Sequence, residues 1–264
     1  MTDEMGLTPE AARGYEAHFV PAIFHQWPER IIALAEPKPD DRILDVGCGT
    51  GVLTRQLSQI ASDPGNLAGV DLSESMLGVA REHCPGVEFH QCSATSLPFA
   101  DGSFNVVVSS FMLMFTPEPE QVLREMYRLV APGGRLVISI WQGLETNPVY
   151  LALVDIAREV LGDESAESLA WPYALGKPGH LASLFQAAGI SPPAIVNQDG
   201  NATFPSLDDF VRTEIQSWLL ADSVNDTQIQ QIVAKLSNRN LVSNAQADSV
   251  SFPLNAILAR ANHD

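Results

Sequence analysis

Positively charged residues and cysteines are both scarce in this chain. Lys and Arg total 15 against 32 Asp and Glu, which gives a formal net charge of −17. Because nucleic-acid binding rests on cations that neutralise phosphates, this balance argues against a nucleic-acid partner. The cysteines Cys48, Cys84 and Cys92 are odd in number and follow no CxxC or Cys/His spacing. The sequence therefore indicates neither a disulfide framework nor a metal site.

Long apolar runs are also missing. The longest, at 104–115 and 134–141, are too short to cross a bilayer, so we expect no membrane span. The N-terminus is acidic and lacks the basic and apolar regions of a signal peptide, which predicts a cytoplasmic protein. A monomer and a homodimer both stay open.

From Arg42 onward, short apolar runs alternate with helical patterns, which is typical of successive βαβ units. The pattern predicts an α/β fold with a doubly wound, mostly parallel, seven-stranded Rossmann-like sheet and helical lid elements. The strands are expected near 42–46, 67–71, 87–91, 104–109, 134–141, 193–198 and 249–260. The helices are expected in pieces over 10–36 and near 51–60, 73–83, 117–130, 148–161, 178–188, 206–220 and 226–238.

Three regions follow from this pattern. Residues 1–39 are predicted to form an N-terminal helical lid, and 40–142 a cofactor-binding Rossmann-like core. Residues 143–264 supply the remainder of the sheet, with further lid helices inserted at about 206–238. The late helices are assigned to the lid because a doubly wound sheet is complete without them.

A glycine-rich loop follows the first predicted strand. Gly47, Gly49 and Gly51 are spaced G-x-G-x-G, which lets the backbone approach a ligand closely. A nicotinamide-binding loop would read GxGxxG and place Gly or Ala where Val52 stands, so that alternative fits less well. Asp71 ends the second predicted strand, where a carboxylate can accept hydrogen bonds from the two hydroxyls of a ribose. The competing interpretation of Asp71 is a helix cap shared with Ser73.

Four segments carry a family resemblance: LDVGCGTG, GVDLSESML, SLPFADGSFNVVVSSFMLMF and LREMYRLVAPGGRLVISIW. Together they resemble the class I S-adenosylmethionine-dependent methyltransferases, in particular the small-molecule branch related to ubiquinone and menaquinone biosynthesis enzymes. The resemblance covers roughly residues 40–142. It implies S-adenosylmethionine as cofactor and methyl transfer to oxygen, carbon or nitrogen of a small-molecule acceptor. Positioning and desolvation would then supply most of the rate.

The resemblance also assigns cofactor contacts to particular positions. Asp45 and the Gly47–Gly51 loop would hold the methionine portion, Asp71 the ribose, and Leu72 and Met76 the adenine. Ser93 stands where the family usually has Asp, so the backbone of Ala94 would carry more of the adenine contact. The remaining expected cofactor-binding residues are Tyr15, Cys48, Gly49, Thr50, Ser110, Phe111 and Met112.

No catalytic base is identified by the sequence, and methyl transfer does not require one. His18 is the candidate, since it lies at helical spacing from Tyr15 on a segment expected to cover the cofactor. Trp171, Tyr173 and Trp218 are expected either to line the acceptor pocket or to form lid core. Two other functions stay open: a non-catalytic adenosylmethionine-binding regulatory module and an NAD-dependent oxidoreductase.

Overall fold

A seven-stranded sheet forms the centre of the protein. The computed structural model describes residues 7–215, 224–242 and 249–263. The strands are β1 Ile43–Val46, β2 Leu67–Asp71, β3 Glu88–Gln91, β4 Phe104–Ser110, β5 Val130–Trp141, β6 Ala194–Gln198, β7 Asn201–Phe204, β8 Val250–Pro253 and β9 Ala256–Asn262. The order in the large sheet is β3-β2-β1-β4-β5-β9-β6, and β7 pairs with β8 in a separate two-stranded sheet. In the large sheet β9 runs antiparallel to both of its neighbours, while the other pairs are parallel. The predicted Rossmann-like architecture is confirmed.

Helices cover both faces of this sheet, as its buried strands require. They are α1 Pro9–Gly14, α2 Pro28–Ala35, α3 Val52–Leu57, α4 Glu74–His83, α5 Pro119–Arg128, α6 Pro148–Leu161, α7 Asp163–Ala170, α8 His180–Ala187, α9 Leu207–Ile215 and α10 Asp226–Ser237. The segment Tyr15–Phe24 winds as a wider π-type helix between α1 and α2. Within the described ranges no helix has the length and apolarity needed to cross a membrane.

The position of the binding crevice follows from the strand order. β1 is buried at all four residues and pairs with β2 on one side and β4 on the other. The chain moves outward from β1 through β2 to β3, then returns to start β4 on the opposite side. In such sheets ligands bind beyond the carboxyl ends of the strands at this reversal. The loops after Val46 and Ser110 therefore border the crevice.

The N-terminal region packs in part against the sheet. Trp27, Ile31 and Ala35 are fully buried, and α2 packs against β4 and β5. The Arg135 guanidinium fastens the end of α2 to the sheet by donating to the backbone oxygens of Ala35 and Glu36. The Tyr15–Phe24 segment precedes this anchor and contains Pro21, which cannot donate a helical hydrogen bond. The predicted lid at 1–39 thus joins a packed helix to a segment with weaker backbone bonding, and its role as a lid stays a prediction.

The single strand predicted over 249–260 was wrong. The chain forms β8, leaves extended pairing around Leu254 and Asn255, and then forms β9. Beyond Pro253 the Leu254 N–H still donates to the Gly200 oxygen at 2.9 Å, and the chain then leaves β7 and pairs with β5 and β6 as β9. The strand β7, its partner in the small sheet, was missed because it has only four residues.

Helix boundaries also differ from the predictions. The helix expected from Thr116–Pro117 begins two residues later at Pro119, and Thr116 accepts a hydrogen bond from the Glu118 N–H instead. The helix expected over 51–60 is the shorter α3, and α7 was missed. The strand expected from residue 134 begins earlier, at Val130, and its pairing with β4 is irregular there, because Phe104 pairs with Val130 but Val106 pairs with Arg135.

Candidate active site

The glycine loop turns sharply at the end of β1. Gly47 has a φ of +71° and Gly49 a φ of +55°, a left-handed region that glycine adopts without strain. The N–H groups of Gly47 and Cys48 both donate to the Val70 oxygen, at 2.8 and 3.0 Å. These two bonds tie the start of the loop to β2. A Cβ on Gly49 would meet no protein atom within 4 Å, so this residue borders open space.

Asp71 organises the loop from the end of β2. Its Oδ2 accepts from the Gly49 N–H at 2.9 Å, and its Oδ1 accepts from the Ser73 N–H at 2.9 Å. Ser73 in turn caps α4 by accepting from the Met76 N–H at 3.2 Å. Asp71 thus holds the capping residue Ser73 in place, while Ser73 alone caps α4. A carboxylate accepts several hydrogen bonds, so the ribose role remains compatible with this geometry.

Asp45 is fully buried beneath the loop. Its Oδ2 accepts from the Thr54 hydroxyl at 2.6 Å, and no donor among the described residues reaches its Oδ1. Burial raises the pKa of this carboxyl to about 7, and the nearby charge of Asp71 also raises it. An unpartnered buried carboxylate oxygen is unfavourable unless a donor arrives. The ammonium group of a bound amino acid would be such a donor.

A cavity of about 380 Å³, counting the space that opens to solvent, lies above Asp45. We call it the glycine-loop cavity. It is lined by Tyr15, Phe24, Asp45, Gly47, Cys48, Gly49, Thr50, Val52, Leu53 and Ser110. The structure thus gathers seven of the expected cofactor-binding residues around one space.

Two ionisable groups on the cavity wall remain neutral. Burial raises the pKa of the Cys48 thiol, and the charges of Asp71 and Asp45 raise it further. Burial likewise raises the pKa of the Tyr15 hydroxyl, again with a contribution from Asp71. Cys48 is therefore a thiol rather than a nucleophilic thiolate. Tyr15 keeps its proton and can act as a hydrogen-bond donor.

The positions expected around the adenine lie further out. Leu72, Met76, Ser93 and Ala94 are half-buried and do not line the glycine-loop cavity. The Ser93 hydroxyl is within 2.8 Å of the Thr95 hydroxyl. Ser93 thus hydrogen-bonds inside its own turn, and the adenine role of these four positions stays a prediction.

Phe111 and Met112 pack against residues of the site but do not line the glycine-loop cavity. The Phe111 ring stacks on Trp141 with centroids 3.9 Å apart and also contacts Phe24. Its φ of +53° is unusual for a bulky residue and sharply redirects the chain after β4. The Met112 side chain fills the space over Gly47, where a Cβ would lie 2.2 Å from Met112 Cγ. Gly47 is therefore required by packing as well as by φ.

A second cavity adjoins the first. It has about 330 Å³ of space not filled by protein atoms, part of it open solvent, and we call it the aromatic cavity. Its walls come from distant parts of the chain: Phe19, Ile23, Phe24, Trp141, Tyr150, Leu169, Pro172, Tyr173, Glu214 and Leu254. Phe24 lines both cavities.

A buried carboxyl faces the aromatic cavity. Glu214 is 6% exposed, and its Oε1 accepts from the Tyr150 hydroxyl at 3.2 Å. Burial raises the pKa of Tyr150 and of Tyr173, and the charge of Glu214 adds to both shifts. Glu214 and Tyr150 were missed by the sequence reasoning. The available signal was a charged residue on the apolar face of α9, following Phe210 and Val211 at helical spacing.

The structure places the other residues singled out in the sequence at different positions. Tyr173 is buried and lines the aromatic cavity, whereas Trp171 is 52% exposed and lies outside it. Trp218 lies outside the described residues. His18 is exposed and lines neither cavity, so the geometry gives it no support as a base.

Comparison with known proteins assigns the central region of the chain to a domain family. Residues 44–138 match the methyltransferase domain family. The chain is 33% identical over 178 residues to demethylmenaquinone methyltransferase of Paenarthrobacter aurescens, covering 62% of this chain and 68% of that protein. It is 37% identical over 122 residues to the ubiquinone/menaquinone biosynthesis C-methyltransferase UbiE of Vibrio parahaemolyticus, covering 44% of this chain and 47% of that protein. The chain thus spans about two thirds of one relative and about half of the other.

Solved structures share the fold at lower identity. The YcgJ protein of Bacillus subtilis superposes with a TM-score of 0.61 at 21% identity, covering 90% of this chain and 98% of that one. A Haemonchus contortus phosphoethanolamine N-methyltransferase, solved with S-adenosylhomocysteine, gives 0.59 at 20% identity, covering 96% of this chain and 57% of that one. At such identities the likeness concerns the fold alone. The domain family and the two curated relatives favour neither the oxidoreductase nor the regulatory-module alternative.

Proposed function

We propose that this chain methylates a flat, ring-bearing acceptor held in the aromatic cavity. The chain belongs to the class I S-adenosylmethionine-dependent methyltransferases of the ubiquinone/menaquinone-biosynthesis type. The observation that carries the proposal is the shared wall, since Phe24 borders both the glycine-loop cavity and the aromatic cavity. A methyl donor in the glycine-loop cavity and a methyl acceptor in the aromatic cavity would meet at Phe24. The named activities of the two relatives support a quinone-like ring.

The cofactor of the family suits the glycine-loop cavity. When bound, S-adenosylmethionine supplies an electrophilic methyl group on a positively charged sulfur. Asp45 offers its unpartnered Oδ1 to a cationic donor, and Asp71 offers acceptor capacity to ribose hydroxyls. Both assignments rest on the residues' position and burial, and both remain part of the proposal.

The protein's contribution to the reaction is then positioning and exclusion of water. The Tyr15–Phe24 segment places the rings of Tyr15, Phe19 and Phe24 in stacked contact, with centroids 5.4 and 5.6 Å from that of Tyr15. These rings cover the boundary between the cavities with apolar surface. Holding two reactants in line in a dry site supplies much of the barrier lowering that a displacement reaction needs.

An enzymatic test uses a cavity-filling variant. The purified protein is expected to bind S-adenosylhomocysteine rather than NADH, and to form S-adenosylhomocysteine from S-adenosylmethionine when 1,4-dihydroxynaphthalene is added as acceptor probe. Leu169→Trp fills the aromatic cavity and should lose turnover while keeping S-adenosylhomocysteine affinity. Leu151→Trp, at an exposed position on α6, is the matched control. Preferential binding of NADH, or full turnover in Leu169→Trp, would overturn the proposal.

A further inference from the structure

Tyr173 brings an unpaired hydrogen-bond donor to the wall of the aromatic cavity. The residue is 6% exposed and lines this cavity. No acceptor within the described ranges bonds its hydroxyl. The Thr50 hydroxyl and the Trp27 indole N–H also lack partners there, but those atoms are sealed from solvent, whereas the Tyr173 oxygen is not. A buried hydroxyl without a hydrogen bond is unfavourable, so this donor is suited to a ligand in the cavity.

Tyr150, the other tyrosine of the cavity wall, is already engaged. Its hydroxyl donates to Glu214 Oε1 at 3.2 Å, and a phenol has one hydrogen to donate. Trp141 carries an indole N–H on the same wall, and its ring stacks on Phe111 with centroids 3.9 Å apart. The remaining described lining residues, apart from Glu214, have apolar side chains. Tyr173 therefore supplies the one available phenolic hydroxyl of the described wall, and Trp141 is its rival as donor.

The protonation and the setting of the Tyr173 ring suit a donor. Burial raises the pKa of its hydroxyl, so the proton stays on the oxygen at neutral pH. The ring centroid lies 5.5 Å from that of Tyr150, with 45° between the two planes, and Pro172 precedes it on the same wall. A protonated phenol held among these groups can donate to a ligand oxygen and does not attract a cation as a phenolate would.

We propose that Tyr173 determines acceptor specificity by donating a hydrogen bond to an oxygen on the acceptor ring. This inference rests on the proposed function, because it takes the aromatic cavity to be the acceptor site. Apolar walls with a few polar groups bind a ring and fix its orientation through those groups. An oxygen held by Tyr173 would set which ring atom faces Phe24, the residue that lines both cavities.

Tyr173→Phe tests the donor with two ligands that differ in one oxygen. 1-Tetralone carries a carbonyl oxygen that only accepts hydrogen bonds, and tetralin is the same pair of rings without it. In equilibrium dialysis against the whole protein, Tyr173→Phe should weaken 1-tetralone binding at least about fivefold, which equals about 1 kcal/mol, and change tetralin binding less than about twofold. Comparing both ligands in both proteins cancels the difference in their hydration.

Three further measurements separate a donor from a structural side chain. Tyr127 donates its hydroxyl to the Asn262 oxygen at 3.1 Å and lines neither cavity, so Tyr127→Phe is the matched control and should keep both affinities. Leu169→Trp should lose both ligands, because it fills the aromatic cavity. The carbonyl stretch of bound 1-tetralone should lie at lower frequency in wild type than in Tyr173→Phe, because a hydrogen bond weakens the C=O bond.

The outcomes separate this inference from the proposed function. Unchanged 1-tetralone affinity in Tyr173→Phe overturns the donor role and leaves Trp141 as the donor. An equal loss of both ligands in that variant, or no binding of 1-tetralone to the wild type, also overturns it. So does retention of both ligands in Leu169→Trp, because they would then bind outside the aromatic cavity. If neither wild type nor Tyr173→Phe binds S-adenosylhomocysteine, the proposed function fails, while dialysis still decides whether Tyr173 donates to a ring oxygen.

Discussion

The glycine-loop cavity and the aromatic cavity meet at Phe24, yet they are built in different ways. Most of the first comes from one stretch of chain, the end of β1, the loop and the start of α3. The second takes its walls from the Tyr15–Phe24 segment, β5, α6, α7, α9 and the turn after β8. A site made by one strand and its loop can be recognised in a sequence as a motif. A site assembled by tertiary packing leaves only scattered apolar positions.

The two cavities also use their buried carboxyls differently. Asp45 is fully buried with one oxygen bonded to Thr54, and the other oxygen has no donor within the described part of the chain. Glu214 is oriented by Tyr150 within aromatic walls. The first arrangement leaves a carboxyl oxygen open to a cationic donor, whereas in the second a tyrosine hydroxyl bonds the carboxyl among apolar rings. This contrast predicts that substitutions in one cavity change one affinity and leave the other intact.

The largest expected effect is that of Gly49→Val on the glycine-loop cavity. A branched side chain is strained at a φ of +55° and projects into space that no protein atom occupies, which is the space the cofactor needs. We expect S-adenosylhomocysteine binding to be lost in calorimetry while 1,4-dihydroxynaphthalene still binds the aromatic cavity.

Gly189→Val is the matched control for backbone strain. Gly189 has a φ of +77° and likewise no protein atom near the position of a Cβ, but it lies at the exposed end of α8. This variant should keep full cofactor affinity. If Gly49→Val also keeps it, the loop is only a structural turn.

The second prediction concerns Asp71→Asn. The amide keeps one acceptor oxygen for the loop but removes the charge, so S-adenosylhomocysteine should bind about 10- to 150-fold more weakly, the loss of roughly 1.5–3 kcal/mol. Asp63→Asn is the control, because Asp63 precedes β2 at its other end and likewise accepts from a backbone N–H, that of Gly65, at 2.9 Å. Equal affinities for the two variants in calorimetry would remove the ribose assignment.

These two predictions use residues that a reading of the sequence could identify. The glycine loop, Asp45 and Asp71 were found because parallel strands read as apolar runs and the loop between strand and helix has a fixed spacing. The seven-stranded sheet followed for the same reason. The equally short strands β1 and β3 were found because they fit the βαβ alternation. The break after Pro253, the strand β7 and the helix α7 lie outside that alternation and were missed. Glu214 and Tyr150 are 64 residues apart in sequence, and only tertiary packing brings them together.

The third prediction is a pH dependence of cofactor binding through Asp45. Its pKa is raised to about 7, chiefly by burial, so the free protein holds a neutral carboxyl below that pH. A cationic ligand group favours the ionised form. Affinity for S-adenosylhomocysteine should therefore rise as the pH increases from about 5.5 to 7 and level off above it, by roughly tenfold per unit of pKa change. Calorimetry in buffers of different ionisation enthalpy should detect the released proton.

Asp45→Asn supplies both the control and a stability test. The variant should bind with little pH dependence between about pH 5.5 and 7.5. Because the folded pKa of Asp45 lies above its unfolded value, its contribution to stability is present at low pH and is lost as the pH rises toward about 7. The difference in unfolding free energy between wild type and Asp45→Asn should therefore shift in favour of the variant over this range. A constant difference would contradict the raised pKa.

The smallest expected effect is a change in exchange rate at the segment shared by both cavities. Tyr15–Phe24 has wide π-type turns and an internal Pro21, so its backbone bonding is weak. Its links to the core include the Glu16–Arg55 ion pair at 2.8 Å and the ring contacts of Phe24. A cofactor touching Tyr15 and Phe24 would add contacts to this segment, and segments open less often when contacts are added.

Hydrogen exchange with and without S-adenosylhomocysteine measures this closure. We expect amides in Tyr15–Phe24 to exchange several-fold more slowly with the ligand, whereas those of α8, on a helix lining neither cavity, should not change. Leu169→Trp should show the same slowing, since it alters only the aromatic cavity. If the segment exchanges equally in both states while the glycine loop is protected, the segment does not close on the cofactor. Tyr15 would then lose its assignment to the cofactor site.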